Sequence, residues 1–134
     1  MMAENRSNTL SLQNSTVKEL ADYVAPDGSE IRLLPQVRGG GFAHCTLPQG
    51  KTSLAVCHKT VEEIWFFLTG KGEVWRRLSD KEITISVSAR DCLTIPTGCH
   101  FQFRNCGTQP LTFLIATIPP WPGPEEAFRV MDHW

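Results

Sequence analysis

A histidine and two carboxylates stand close together in the sequence, at the junction of two apolar segments. His58 ends the first segment, and Glu62 and Glu63 begin the second after a short connection. If both segments are strands of a hairpin, the imidazole and a carboxylate lie at the same end of a sheet. Such groups bind divalent metal ions, and they also act as acids and bases in catalysis. An exposed histidine beside a surface carboxylate is the alternative, and these residues alone do not separate the two interpretations.

The elements that must position these groups are short apolar segments separated by turn sequences. The segments are rich in Val, Ile, Phe, Thr and Trp, which favour strands. Turn residues recur about every 8–12 residues, as in a β-sandwich or barrel. The predicted strands are 30–34, 41–47, 52–58, 63–69, 73–78, 82–87, 91–95, 100–105 and 111–118. Because no long amphipathic helix intervenes, the sequence predicts an all-β fold.

Length and composition favour one folded domain of 134 residues. We predict a flexible tail over residues 1–15 and a single barrel over 16–134, on which a Pro- and Trp-rich C-terminal ribbon packs. A formal net charge of −1 and the absence of a basic run argue against nucleic-acid binding. No apolar run is long enough to cross a bilayer, and residues 1–15 lack a signal-peptide core. We therefore expect a cytoplasmic protein without membrane partners, whose five cysteines are buried or half-buried thiols. A disulfide between two of them is the alternative.

The order of these residues resembles the two conserved motifs of the cupin family. The first motif is G(X)5HXH(X)3-4E(X)6G, and His58, Glu63 and Gly70 match its second His, its Glu and its last Gly. The second is G(X)5PXG(X)2H(X)3N, which residues 96–105 resemble. With the flanking strands the resemblance covers residues 29–117. It implies a double-stranded β-helix, that is, a jelly-roll barrel with a site in its interior.

Two of the four usual cupin metal-ligand positions carry apolar residues in this chain. The first His position is Val56, and an alignment without gaps places Phe101 at the His of the second motif. His100 stands one residue earlier, so on a strand its side chain faces the opposite side. One hypothesis is that His58 and Glu63 hold a divalent ion (Zn, Mn, Fe or Ni). The candidates that would complete this metal site are His100, Gln102 and His44.

The other hypothesis is that the metal site has degenerated and the barrel binds an organic ligand. Its substrate-binding candidates are Trp65, Trp75, Phe101, Gln102, Phe103, His44 and Arg77. Arg76 and Arg77 are adjacent, so one of them should point inward on a strand, where it would suit a carboxylate or phosphate. The alternative is that both arginines lie in solvent.

Three functions follow from the cupin resemblance. The leading hypothesis is an enzyme that acts on a small polar metabolite by isomerisation, epimerisation or dioxygen chemistry. In it Glu62 or Glu63, whichever faces the barrel, is the catalytic acid or base. The second is a non-catalytic protein that binds a small ligand, and the third is a dimeric accessory protein. Small cupins are commonly homodimers, so the resemblance also implies a homodimer.

Overall fold

Short strands account for most of the regular structure in residues 11–134, the part of the chain that the computed structural model describes. In chain order the elements are β1 Tyr23–Val24, β2 Glu30–Val37, β3 Gly40–Leu47, β4 Val56–His58, β5 Glu62–Thr69, β6 Lys71–Leu78, β7 Lys81–Ser88, β8 Cys92–Ile95, β9 His100–Asn105, β10 Leu111–Ile118, the 3-10 helix η1 Pro124–Glu126, and β11 Ala127–Arg129. Within these described residues there is no α-helix, and none of the segments forms a helix long and apolar enough to span a membrane.

The strands form two antiparallel sheets that face each other across one core. The first sheet has six strands in the order β1-β2-β3-β10-β5-β8, and the second has five in the order β11-β4-β9-β6-β7. Neighbours in each sheet are mostly distant in the sequence, since β10 lies between β3 and β5 while β9 lies between β4 and β6. This arrangement confirms the predicted all-β jelly-roll barrel.

Alternation along β5 shows how the sequence forms the barrel wall. Glu63, Trp65 and Phe67 are buried, whereas Glu62 and Ile64 are exposed. The buried rings meet rings from the neighbouring strands, and Trp65 stacks on Phe113 with ring centroids 4.5 Å apart. Successive side chains of a strand point to opposite faces, so this pattern turns one carboxylate and two large rings into the barrel.

Nine predicted strands are present, and their boundaries differ mostly by one to three residues. The largest difference is at residues 52–58, of which only Val56–His58 form strand β4. Leu54 instead donates its backbone N–H to the carbonyl of Asp27, at 2.7 Å, and thereby leaves the ladder. Two very short strands, β1 and β11, escaped prediction because each pairs only at a sheet edge.

Residues 11–20 and the C-terminal residues lie on the barrel rather than in its core. Residues 1–10 of the predicted tail lie outside the described residues, and residues 11–20 are exposed. The tail's flexibility stays a prediction. At the C-terminal end, β11 pairs with β4 so that Ala127 lies opposite His58. The proline-rich segment before β11 therefore passes directly over the end of the barrel that carries the predicted site.

Candidate functional site

A cavity of about 70 Å³ lies inside the barrel, between the two sheets. By the same measure one water needs about 10–15 Å³, so the cavity holds roughly five to seven water-sized positions. Its walls are mainly apolar, and Asp27, His58 and Glu63 interact electrostatically with one another at one end, the polar end of the cavity. The polar lining residues are Tyr23, Asp27, Ser29, Gln36, Cys45, His58, Glu63 and Thr117.

Glu63 is the most enclosed carboxylate of this polar end, with 6% of its surface exposed. The indole N–H of Trp65 donates to its Oε1, and the hydroxyl of Thr117 donates to its Oε2, both at 2.9 Å. Burial raises the pKa of Glu63 above its usual 4.5, although His58 and the two hydrogen bonds act in the opposite direction. A carboxyl group with such a raised pKa can exchange protons nearer neutral pH than an ordinary glutamate.

His58 lies beside the carboxylate and has 5% of its surface exposed. Its ring meets Phe101 and Trp121 edge-on, with centroids at 5.1 and 5.4 Å. Its Nδ1 is buried without a hydrogen-bond partner in the protein. Because burying a polar nitrogen without a partner costs free energy, this atom is a natural contact for a bound molecule.

Asp27 supplies a second carboxyl group that sequence reasoning missed. Its Oδ1 accepts hydrogen bonds from the backbone N–H and the hydroxyl of Ser29, at 2.9 and 2.6 Å. Burial raises the pKa of Asp27 above its usual 3.8, although the Ser29 bonds and His58 partly counteract this. The only sequence signal was a turn, Ala25-Pro26-Asp27-Gly28, which indicates a loop and says nothing of where the carboxylate points.

Thr117 and Trp121 also reach the cavity without having been selected from the sequence as site residues. Thr117 lies opposite Glu63 in the β10–β5 ladder, so its hydroxyl meets the carboxylate. Trp121 stands in the proline-rich segment, which the sequence predicts to pack on the barrel. The structure places its ring against His58, so the segment also shapes the cavity.

Several predicted site residues lie away from this cavity. Glu62 is exposed on the outer face of β5, so of the two candidate carboxylates only Glu63 faces the barrel. His100 pairs with Cys57 and Arg77 and is not part of the cavity lining, as strand alternation anticipated. His44 likewise lies on the outer face of β3, next to Arg32 in the ladder. The structure thus does not bring His100 or His44 to His58 and Glu63.

The remaining candidates separate into lining, core and surface groups. Trp65 and Phe101 line the cavity, and Phe103 lies in the core beneath it. Arg77 is exposed, so it does not offer the inward guanidinium considered from the sequence. Trp75 lies on the outer face of β6, where it stacks on His133 with centroids 5.0 Å apart.

Gln102 has a structural role instead of a place in the cavity. Its Oε1 accepts the backbone N–H groups of His133 and Trp134, at 2.8 and 3.0 Å. Its Nε2 donates to the carbonyl of Ser53 at 2.8 Å. Its Nε2 also donates to Oδ1 of Asp132, at 3.5 Å. The bonds with Asp132, His133 and Trp134 fasten the C-terminal residues to the outer face of β9, and all four bonds together leave the amide no capacity for a ligand in the barrel.

The donor set at the cavity does not fit the metal that the cupin resemblance implies. Val56 and Phe101, which stand at two usual ligand positions, both face the cavity and lie opposite each other in the β4–β9 ladder. Both oxygens of Glu63 already accept hydrogen bonds. Among residues 11–134 no group of three His, Cys, Asp or Glu side chains is close enough to hold an ion. Protein metal sites ordinarily use at least about three such ligands.

We therefore expect the purified protein to bind metal weakly. After preparation without a metal-affinity column and incubation with zinc, manganese, iron or nickel, elemental analysis should find well under about one ion per chain. The His58→Ala variant should give the same result as the wild type. Near-stoichiometric metal in the wild type that His58→Ala removes would contradict this expectation and return His58 to the role of a ligand.

Comparisons with known proteins agree with this architecture. Residues 43–117, more than half of the chain, match the family described as Cupin domain. An uncharacterized protein of Methanocaldococcus jannaschii is 30% identical over 118 residues, which cover 84% of this chain and 91% of the relative. The matched region contains β3 to β10 almost completely and therefore includes His58, Glu63 and Thr117.

Solved structures share the barrel at lower identity. Oxalate decarboxylase of Lactobacillus farciminis has a TM-score of 0.67 and 20% identity, over 76% of this chain and 31% of the other. The capsular polysaccharide assembling protein CapF of Staphylococcus aureus has a TM-score of 0.69 and 18% identity, over 78% of this chain and 30% of the other. The Cnp3 cupin domain of Schizosaccharomyces pombe has a TM-score of 0.61 and 15% identity, over 68% of this chain and 64% of the other. This chain thus spans less than two thirds of each of these structures, and the likeness concerns the fold alone. The two motifs, the barrel and the matched family together show that the chain belongs to the cupin family.

Proposed function

We propose that this cupin binds a small organic molecule in the cavity of its barrel. The observation that carries the proposal is the cavity itself, with apolar walls and a few polar groups converging at one end. That combination is the usual form of a small-molecule site, although this cavity of about 70 Å³ is smaller than the usual range of about 300–1,000 Å³ and suits only a very small ligand. The ligand would lie against Trp65, Phe101 and Trp121 and exchange hydrogen bonds with His58.

The unpartnered Nδ1 of His58 supports an occupant with a hydrogen-bonding group. Without one, the buried nitrogen depends on water for its hydrogen bond. Glu63, by contrast, is held in one orientation by Trp65 and Thr117, so it presents a fixed carboxyl group to the occupant. A fixed group beside an unpartnered one is the arrangement expected of a preorganised binding site.

Filling the cavity tests this proposal. Ala43 lines the cavity from β3, whereas Ala116 lies on the outer face of the adjacent strand β10. We expect isobutanol to shift the indole N–H resonance of Trp65 in the wild type and in Ala116→Phe. In Ala43→Phe the added ring occupies the cavity, and affinity should fall by about tenfold or more. Equal titrations in both variants would place the ligand outside the barrel and reject the proposal.

A second candidate function is proton transfer on the bound molecule, as in an isomerase or epimerase. It is favoured by the raised pKa of Glu63 next to His58, since a buried acid–base pair in a cavity is a common catalytic arrangement. An enzyme of this kind would exchange the α-hydrogen of isobutyraldehyde for deuterium in D₂O, and Glu63→Gln would stop the exchange. A pure binding protein would leave the α-hydrogen in place. The donor set gives no support to a metal-dependent oxygenase.

The homodimer and the cytoplasmic location stay predictions. Light scattering of the purified protein measures the first directly, and localisation of the tagged chain measures the second.

A further inference from the structure

We propose that the cavity selects small organic cations, primary amines above all, over neutral and anionic molecules of the same size. This inference rests on the proposed function, because it names the chemical class of the ligand in the same cavity. It stands on the charges of the lining, on the aromatic walls and on the unpartnered nitrogen of His58.

The cavity lining carries more acidic side chains than basic ones. Asp27 and Glu63 both face the cavity, and among its described lining residues there is no Lys or Arg. Arg77 is exposed, and Arg76 donates to the carbonyl of Thr94 instead of entering the cavity. A bound carboxylate or phosphate would therefore meet two carboxyl groups, with only His58 and the unpartnered indole N–H of Trp121 to offset them. An ammonium group would meet complementary charge.

Aromatic rings surround the same polar end. Trp65 and Phe101 meet at an angle of 85°, with centroids 5.4 Å apart. Trp121 adds a third ring over His58. Rings attract cations through the negative charge of their faces, and the attraction is strongest for tryptophan and for desolvated sites. The walls thus accept the alkyl part of an amine and also favour its charged head.

The Nδ1 atom of His58 is independent evidence for a bound molecule. It has no hydrogen-bond partner in the protein, and only 5% of the surface of His58 is exposed. A neutral imidazole nitrogen without a proton accepts a hydrogen bond, and an ammonium group has three to donate. One ammonium group could therefore satisfy this nitrogen and one carboxylate together.

Binding of an amine should weaken in acid solution. Burial raises the pKa of Asp27 and Glu63 above their usual 3.8 and 4.5, so a fall in pH neutralises both early. The other titratable groups facing them are His58, Cys45 and Tyr23. Burial raises the pKa of Cys45 and keeps its thiol neutral. Affinity for a neutral alcohol should depend much less on pH.

The test compares isobutylamine, isobutanol and isobutyrate in titrations of the full chain, followed by the Trp65 indole resonance. We expect the amine to bind about tenfold more tightly than the alcohol, and the carboxylate to bind most weakly. In Asp27→Asn the Ser29 hydrogen bonds can persist, so the fold should survive while the preference for the amine falls to about threefold or less. The matched control is Glu62→Gln, which removes an exposed carboxylate on the outer face and should keep the full preference.

The outcomes separate this inference from the proposed function. Alcohol or isobutyrate binding as tightly as the amine would overturn the inference and leave a small-molecule cavity standing. A preference for the amine that is unchanged in both single variants, Asp27→Asn and Glu63→Gln, would also overturn the inference. If none of the three compounds shifts the Trp65 resonance at high millimolar concentration, the inference and the cavity function both fail.

Discussion

Replacing Trp65 with alanine should lower the free energy of unfolding by about 3–5 kcal/mol, the range for removing a large aromatic side chain from a core. Trp65 has 1% of its surface exposed and stacks on Phe113 at 4.5 Å. It also meets Phe103 at 5.2 Å. Removing the indole leaves a cavity between rings that no backbone movement readily closes. It also removes the N–H donor to Glu63.

Urea denaturation of the wild type, Trp65→Ala and Trp121→Ala measures this effect. Trp121 is the matched control because its ring is partly exposed at the cavity, so its loss should cost about 1–2 kcal/mol. Equal losses in the two variants would mean that the ring cluster around Trp65 does not carry the core. We would then expect the stability to reside in the strand ladders instead.

Replacing Glu63 with glutamine should stabilise the ligand-free protein at neutral pH, by about 0.5–2 kcal/mol. The amide oxygen can accept the indole N–H of Trp65, and the amide nitrogen can donate to the hydroxyl of Thr117. Both present hydrogen bonds therefore have an equivalent in the variant. What disappears is the cost of an ionised carboxylate in a buried position. A natural residue that lowers stability in this way is characteristic of a functional site.

The direction of the Glu63 pKa shift determines how the stability difference between the wild type and Glu63→Gln changes with pH. Since burial raises the pKa of Glu63 above its usual 4.5, the folded protein holds the proton more tightly than the unfolded chain does. The stability that the neutral carboxyl contributes is complete below the unfolded pKa and is lost as pH rises through the folded pKa. The wild type and Glu63→Gln should therefore be equally stable in acid, and the variant should gain as the pH approaches neutrality.

Glu126 is the matched control, because its replacement with glutamine should change the stability in the opposite direction. It is buried, and burial alone would raise its pKa, but hydrogen bonds from the Thr60 hydroxyl and from the backbone N–H groups of Thr60 and Val61 lower the pKa overall. Glu126→Gln should therefore destabilise the protein at neutral pH by about 1–3 kcal/mol. Thermal unfolding at several pH values compares both variants. A loss of stability in Glu63→Gln at neutral pH would show that the ionised carboxylate is paired, and would contradict the raised pKa.

If these variants behave as expected, the cavity combines a stabilising ring cluster with carboxyl groups that are kept at a cost. Trp65 belongs to both, because its ring packs in the core and its N–H orients Glu63. A ligand that satisfies His58 and neutralises a carboxylate would recover part of that cost on binding. Stability should therefore rise when the ligand is added.

The sequence by itself determined the barrel and one half of the site. Turn spacing and strand composition predicted nine strands, and the two motifs predicted the family. Strand alternation also predicted that His100 faces away from Phe101, as the ladder shows. These successes have one physical reason. The period of two residues along a strand is a local property, so it determines which neighbours share a face without reference to the rest of the chain.

Only the tertiary structure decided what covers each face. Gln102 and Trp75 are of residue types that commonly contact ligands, but the C-terminal residues cover them on the outer face of their sheet. The backbone N–H groups of His133 and Trp134 bind the Gln102 amide, and the His133 ring stacks on Trp75. Asp27 reaches the cavity from a loop that is distant from Glu63 in the chain. No period relates such segments, because their meeting depends on long-range packing and on the hydrogen bonds of irregular loops. The second carboxyl group of the cavity, and with it the expected preference for a cation, is therefore a product of the folded barrel.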